Sequence, residues 1–332
     1  MSDILNKIGQ LFMVGYPGNK PPDAFIDFVK QEQLGGIILF EDNCGTYGNA
    51  RENIEILRAC YRGTPPFIAI DQEGGRVCRL RGMPAEFRSA ATYGRERDIE
   101  HFIEDYSRAA IYLESLGINL NLGPVADIES DKNNPCLEGR CFGTDAGTVS
   151  IFVEAMVKVS KAKGLLSCAK HFPGLGTATS DPHKKTAVAA YDEIIWQQRE
   201  KIPFQAAVDA GVDFIMTTHL HLPKIDDTIV TGSNKIISDM VRQVLSFDGP
   251  IMTDDLTMAG AAALGDIEER TVKAFKAGHD ILLFGQDFQA ARKAYNALVE
   301  ACREGEIPEE RINDALNRVM GIKFKLKMSV MH

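Results

Sequence analysis

The sequence predicts an α/β fold, a (β/α)8 TIM-type barrel in which residues 1–332 form one domain. Three observations indicate this fold. A helical pattern, a glycine and a short apolar run follow one another repeatedly, and glycine supplies the left-handed residue that commonly ends a helix. The apolar runs lack a polar face, as is typical of buried parallel strands. Amphipathic segments separate them, so strands and helices alternate. A doubly wound open sheet is the alternative that these patterns leave open.

The eight expected strands are spaced along the whole chain. They lie near residues 10–16, 36–40, 67–70, 118–122, 165–169, 212–217, 250–253 and 280–284. Helical spacing of Ile99, Phe102 and Tyr106 predicts a helix over 98–116, and two helices at about 288–303 and 308–326 follow the last strand. Neither a G-x-G-x-x-G after the first strand nor a GxxxxGK[ST] is present, so the glycines predict no nucleotide site.

Charge and composition limit the expected partners. The chain has 37 Lys and Arg against 46 Asp and Glu, a formal net charge of −9, and no dense basic run. We therefore expect neither nucleic acid nor a membrane surface as a partner. The expected oligomeric state is a monomer or a weak homodimer. The N-terminal pattern is not that of a signal peptide, and the 7 scattered cysteines suit reduced, packed thiols. These features predict a cytoplasmic protein.

Polar residues follow four of the expected strands at the point where each ends. They are Asp71 after PFIAI, Lys170 and His171 after LLSCA, His219 and His221 after VDFIMTT, and Asp254 and Asp255 after PIMT. In a barrel the loops after the strands meet at one rim, where the chemistry of this fold takes place. A structural role remains open for several: Asp71 can cap a turn, Asp127 can hold a loop, and Arg79 and Arg140 can form surface ion pairs.

A rim with both signs of charge suits a sugar, because carboxylates accept hydrogen bonds from hydroxyls and cations donate them. Glycoside cleavage needs a carboxylate near the anomeric carbon and a proton donor for the leaving oxygen. Asp254 can be the nucleophile or charge stabiliser, and Asp181 can orient His183 as acid and base. His219-Leu-His221 also suggests a metal-dependent amidohydrolase, but that class carries its His-x-His on the first strand and not on the sixth.

The stretch KHFPGLGTATSDPHKK, residues 170–185, resembles the signature of the β-N-acetylglucosaminidases of glycoside hydrolase family 3. That signature runs Lys-His-Phe/Ile-Pro-Gly-His/Leu-Gly, four free residues and Asp-Ser/Thr-His. DQEGGRVCRLRG, GRCFG, DFIMTTHLHLP and MTDDLTMAGA resemble the family's other blocks in the same order, over about residues 35–285. The resemblance implies a retaining exo-β-N-acetylglucosaminidase that needs no metal or organic cofactor and acts on small GlcNAc glycosides such as muropeptides.

The resemblance also implies a role for each matched residue. Asp254 matches the nucleophile, His183 the acid/base, Asp181 its dyad partner, and Asp255 a residue that positions the loop. The matched sugar-binding positions are Asp71, Arg79, Arg140, Lys170, His171 and His219. Pro182 stands where the family signature has Ser or Thr, and a proline fixes its own φ at about −65°. Two further alternatives remain open, transfer of the sugar to phosphate and a sugar-binding protein without turnover.

Overall fold

A computed structural model describes residues 2–178, 180–182 and 184–329. Its strands, in chain order, are β1 (Phe12–Val14), β2 (Gly36–Leu39), β3 (Phe67–Ile70), β4 (Gln72–Gly74), β5 (Val77–Cys78), β6 (Leu120–Asn121), β7 (Leu166–Phe172), β8 (Ala187–Val188), β9 (Phe214–Thr217), β10 (Leu220–His221), β11 (Ile251–Met252) and β12 (Leu282–Phe284). Each of the eight runs expected to be strands contains one, and β4–β5 and β8–β10 are short additional pairs in the loops at the rim.

Eight of these strands form one parallel sheet that closes on itself. Their spatial order is β11-β9-β7-β6-β3-β2-β1-β12. The two edge strands also meet, because Met252 forms a parallel bridge with Ile281, and the Thr253 N–H donates to the Ile281 carbonyl at 3.0 Å. The predicted (β/α)8 barrel is therefore confirmed, and the open sheet is excluded.

The helices surround the barrel. They are α1 (Ser2–Leu5), α2 (Asp23–Glu32), α3 (Glu41–Cys44), α4 (Tyr47–Arg58), α5 (Ala90–Glu96), α6 (Ile99–Leu116), α7 (Ala146–Ala162), α8 (Glu193–Ile195), α9 (Lys201–Ala210), α10 (Ile267–Ala277), α11 (Phe288–Arg303) and α12 (Glu309–Ser329). Short 3₁₀ helices lie at Ile8–Leu11, Val230–Gly232 and Ala259–Leu264, and π-helical turns at Trp196–Glu200 and Ile236–Val244.

Helix α6 shows why these elements form where the sequence predicts them. The Asp98 side chain accepts a hydrogen bond from the His101 N–H and caps the first turn, and Gly117, with φ of 91°, ends the helix. Phe102 and Tyr106, which have the predicted helical spacing, are buried against the barrel. Burial of this apolar face, more than helix propensity, stabilises the helix in place.

The N-terminal end of the barrel is closed by packing. Lys323 of α12 is buried there, donates to the Gln10 Oε1 atom at 2.7 Å, and lies 4.9 Å from the centre of the Phe67 ring. Burial lowers the pKa of Lys323 to about 7. This end of the barrel is therefore part of the core, and an accessible site is expected at the opposite rim.

The cysteines and the helices agree with two narrower expectations. All seven cysteines are buried and unpaired, as predicted, including Cys136 and Cys141. Within the described part of the chain, none of the helices combines the length and the apolar character that a membrane span requires.

Candidate active site

A cavity of about 410 Å³ opens at the C-terminal ends of the strands. The volume lies within the range of roughly 300–1,000 Å³ that is usual for small-molecule sites. The predicted site residues in its wall are Asp71, Arg79, Arg140, Lys170, His171, Asp181 and Asp254, and Asp255 is with them. Four barrel strands, β3, β6, β7 and β11, and the loops that follow them thus bring together residues that are distant in sequence. His183, the predicted acid/base, lies outside the described residues.

Lys170 is at the centre of a buried cluster of charges. It stands in β7, its side chain is 2% exposed, and its Nζ atom lies 2.5 Å from Asp71 Oδ1 and 2.7 Å from Glu73 Oε1. Burial alone would lower the pKa of Lys170, but the two carboxylates outweigh burial and hold this pKa above its usual value. Lys170 is therefore charged, and its position fixes those of Asp71 and Glu73.

The two carboxylates have second cationic partners. Arg140 forms a two-point ion pair with Glu73, with both N–O distances at 2.8 Å, and Arg79 lies 3.3 Å from Asp71. Burial raises the pKa of each carboxyl group, but the neighbouring cations outweigh it, so the pKa of Asp71 is lowered and that of Glu73 lies well below its usual range. Both groups are ionised acceptors, suited to the hydroxyls of a sugar.

His171 is held by Asp127 on one side and by Arg140 on the other. Its Nδ1 atom lies 2.6 Å from Asp127 Oδ2, and its Nε2 atom lies 3.2 Å from Arg140 Nη2. Because Arg140 can only donate, Nε2 accepts and Nδ1 carries the proton that is donated to Asp127. Asp127 also accepts from the Leu175 N–H at 2.7 Å, so it holds the start of the loop that follows β7, the structural role that the sequence left open for it.

Asp254 and Asp255 leave β11 side by side and have different surroundings. The Asp254 N–H donates to the Thr217 carbonyl at 3.1 Å, and Asp254 Oδ1 accepts from the Asp255 N–H at 2.8 Å. Asp255 Oδ1 accepts instead from the N–H and the hydroxyl of Thr257, at 2.8 and 2.7 Å. Both residues line the cavity, but the Asp255 carboxylate is bound into its own loop, whereas Oδ2 of Asp254 is not used in the contact with the Asp255 N–H.

The chain is similar throughout its length to a known family. The model of the Glycosyl hydrolase family 3 N terminal domain matches residues 4–322. The chain belongs to glycoside hydrolase family 3. Membership confirms the predicted family and places the chain among the glycoside hydrolases.

Three relatives illustrate the extent of the family 3 similarity. The beta-hexosaminidase A of Pseudoalteromonas piscicida is 30% identical over 93% of this chain and 56% of its own length. The structure of a family 3 beta-N-acetylglucosaminidase from Paenibacillus superposes with a TM-score of 0.94 at 29% identity, over 98% of this chain and 62% of that one. For the beta-N-acetylhexosaminidase from Beutenbergia cavernae the TM-score is 0.89 and the identity 31%, over 96% and 98%. The chain thus spans less than two thirds of the first two proteins.

His219 does not join the other predicted sugar-binding residues of this family 3 site. It is fully buried, with Nδ1 at 2.7 Å from Thr231 Oγ1 and Nε2 at 2.9 Å from the Asp255 carbonyl oxygen. Burial lowers the pKa of His219, and a neutral ring that donates from Nε2 and accepts at Nδ1 satisfies both contacts. In this structure His219 supports the Asp255 backbone from behind the cavity, and direct contact with a sugar stays a prediction without geometric support.

The cavity wall also contains residues to which the resemblance to family 3 assigns no role. They are Phe40, Glu73, Arg76 and Cys136. Glu73 carries the same signal as Asp71, since it follows the same strand, and a buried Lys170 demands more than one acidic neighbour. Arg76 is exposed and donates from Nη2 to the Pro135 carbonyl at 3.0 Å, which holds its guanidinium group at the edge of the cavity.

Proposed function

We propose that the protein is a retaining exo-β-N-acetylglucosaminidase that hydrolyses terminal β-linked GlcNAc from small glycosides. The observation that carries this proposal is the position of Asp254 in the wall of a small cavity that also contains Asp71, Lys170 and Arg79. Relatives named beta-hexosaminidase and beta-N-acetylglucosaminidase, which align with almost all of this chain, support the choice of sugar.

In the proposed first step, a carboxylate oxygen of Asp254 attacks the anomeric carbon as the bond to the leaving oxygen breaks. Asp254 Oδ1 already accepts a hydrogen bond from the Asp255 N–H, so Oδ2 is the oxygen left for attack. The leaving oxygen receives the proton of His183. This forms a glycosyl-enzyme with inverted configuration at the anomeric carbon.

In the second step, His183 takes a proton from water, and the water oxygen attacks the anomeric carbon and releases the Asp254 carboxylate. Two inversions give net retention. Asp181 would accept a hydrogen bond from the His183 ring and stabilise its charged form after proton uptake. That Asp181 and Asp254 line the same cavity supports this division of roles.

The remaining cavity residues would bind the sugar. Asp71 accepts from adjacent hydroxyls, while Lys170 and Arg79 donate to sugar oxygens and keep that carboxylate ionised. Arg140 has less freedom, because Glu73, His171 and the Cys136 carbonyl already take its donors. We propose that it acts mainly by fixing Glu73 and His171 in the wall.

The natural substrate proposed here is a muropeptide, a GlcNAc-containing cell-wall fragment, cleaved in the cytoplasm during cell-wall recycling. Arg76 at the edge of the cavity supports an aglycone that carries a carboxylate, because its exposed guanidinium group is cationic and retains Nε and Nη1 as donors, while Nη2 donates to the Pro135 and Cys136 carbonyls. Buried, unpaired cysteines support a reducing compartment.

The test is covalent trapping combined with substitution. An activated fluorinated GlcNAc glycoside should label the peptide that contains Asp254, and Asp254→Asn should lower the hydrolysis of p-nitrophenyl β-GlcNAc by roughly 10⁴–10⁶-fold, as expected when a covalent catalyst is lost. Asp255→Asn is the matched control and should retain the label. Full activity of Asp254→Asn would refute the assignment, and a rate that rises with added inorganic phosphate would indicate phosphorolysis.

A further inference from the structure

We infer that Gly260 is a positioning residue for the acid/base loop: its peptide groups hold the segment that carries Asp181 and His183 against the rim. The inference deepens the proposed function and rests on it. Gly260 lies in the 3₁₀ helix Ala259–Leu264, which follows the Asp254 loop in sequence. One residue would thereby connect the loop of the nucleophile with the loop of the acid/base.

Both peptide groups of Gly260 contact this segment. The Gly260 N–H donates to the Pro182 carbonyl at 2.9 Å, and the Gly260 carbonyl accepts from the Thr186 hydroxyl at 3.2 Å. Pro182 stands between the two dyad residues in sequence. A contact at its carbonyl therefore fixes the chain at the position where the dyad is carried.

The other described anchors of the loop lie farther from the dyad. On the N-terminal side, Leu175 is bound by the Asp127 carboxylate and by the Asn134 side-chain amide, at 2.7 and 2.8 Å. On the C-terminal side, β8 pairs with β10, and the Ala189 N–H donates to the His221 carbonyl at 3.1 Å. The two Gly260 contacts act on the segment between these anchors.

The space at Gly260 explains why glycine is needed there. A Cβ atom at this position would lie 2.7 Å from the Pro182 carbonyl oxygen and 3.0 Å from the His219 Cβ atom. His219 cannot yield easily, because it is fully buried and bonded through both ring nitrogens. A side chain at 260 must therefore displace the Pro182 segment, the softer of the two neighbours.

This displacement predicts a specific kinetic defect. A proton donor has to lie within about 2.6–3.2 Å of the atom it protonates, and a misplacement of about 1 Å can cost about 10²-fold in rate. Asp254 is bound to the barrel through the Thr217 carbonyl and would keep its position. Protonation of the leaving oxygen should thus fail while nucleophilic attack persists, so the loss should depend on the leaving group.

The experiment compares wild type, Gly260→Ala, Thr186→Val and Thr186→Ser on two β-GlcNAc glycosides. One has a p-nitrophenolate leaving group, which needs little protonation, and the other a methanol leaving group, which needs it fully. For Gly260→Ala we expect kcat/KM to fall by about 10²-fold on the methyl glycoside and by less than about 5-fold on the nitrophenyl glycoside. Thr186→Val should shift the ratio of the two rates in the same direction, and Thr186→Ser should restore it.

Gly321→Ala is the matched control, because a Cβ atom there meets no atom within 4 Å. Equal losses of Gly260→Ala on both substrates, or no loss, would overturn the inference. If Gly260→Ala does not fold, Thr186→Val decides, and an unchanged ratio in that variant overturns the inference equally. Different results would refute the proposed function itself. They are the absence of cleavage of both glycosides by wild type, or full activity of Asp254→Asn.

Discussion

Replacement of Lys170 by methionine removes the cation that holds two carboxylates together, the buried Glu73 and the partly buried Asp71. The Lys170 ammonium group lies 2.5 Å from Asp71 and 2.7 Å from Glu73, and its side chain is 2% exposed. Loss of one partner from a buried ion pair costs about 3–5 kcal/mol, because the remaining charge is left in a poorly solvated position. Asp71 and Glu73 keep Arg79 and Arg140, so we expect Lys170→Met to lower the free energy of unfolding by about 3 kcal/mol, the lower end of that range.

Urea unfolding at pH 7 measures this loss, with Lys163→Met at an exposed position as the control, expected within about 0.5 kcal/mol of wild type. Glu73→Gln in the Lys170→Met background should destabilise further, since it leaves the Arg140 guanidinium group, which is 9% exposed, without its carboxylate partner. The loss should also shrink as the pH falls below 4.5 and 3.8, the ordinary pKa values of the two carboxyl groups. Because the pKa values of Asp71 and Glu73 are lower in the folded protein, the ionised carboxylates stabilise wild type at any pH above their pKa values in the unfolded chain. This stabilisation is lost as the pH falls through their pKa values in the folded protein. A loss below about 1 kcal/mol, or one independent of pH, would refute the buried cluster.

Two further predictions concern other groups near the cavity. Burial raises the pKa of Glu200 to about 7 from 4.5, so ionisation of this group alone removes roughly 3 kcal/mol of stability as the pH rises between these values. Glu200→Gln cannot ionise, so its stability relative to wild type should rise by about this amount over the same range, and parallel pH dependence of unfolding for both proteins would contradict this. Arg76→Gln should raise KM about 10-fold, or 1.4 kcal/mol, for a glycoside whose aglycone bears a carboxylate, and it should leave KM for a neutral glycoside unchanged. Arg62→Gln is the control. Equal effects on both glycosides would argue against an anionic aglycone.

The fold could be predicted because its two determining signals are local. Apolar runs and the glycines that precede them mark each strand, and Asp98 and Gly117 mark the ends of α6. Strand lengths were harder to predict from the sequence. β11 contains two residues where four were expected, and Pro250, which precedes it, has no N–H to donate to a neighbouring strand. In the π-helical turns at Trp196–Glu200 and Ile236–Val244 each backbone hydrogen bond spans one residue more than in an α-helix, a difference that composition does not reveal.

The position of the site could be predicted, but its internal pairing could not. Strand ends meet at one rim in any parallel barrel, which places Asp71, Lys170 and Asp254 together from sequence alone. Which cation pairs with which carboxylate depends on tertiary distances, as for Lys170 and Asp71, which are 99 residues apart. His219 shows the same limit. It follows an expected strand as Lys170 does, yet its ring contacts Thr231 and a backbone carbonyl behind the cavity.

Pro182 is the departure of this chain from the family signature, and the structure indicates how the loop accommodates it. The described contact at this residue uses its carbonyl oxygen, which accepts from the Gly260 N–H, and proline retains that oxygen. The N–H and the hydroxyl that proline lacks are not part of this contact. Proline instead restricts the unbound conformations of its own residue and of Asp181 before it. Less conformational entropy is then lost when the segment docks on Gly260, so the substitution favours the docked loop without any additional hydrogen bond.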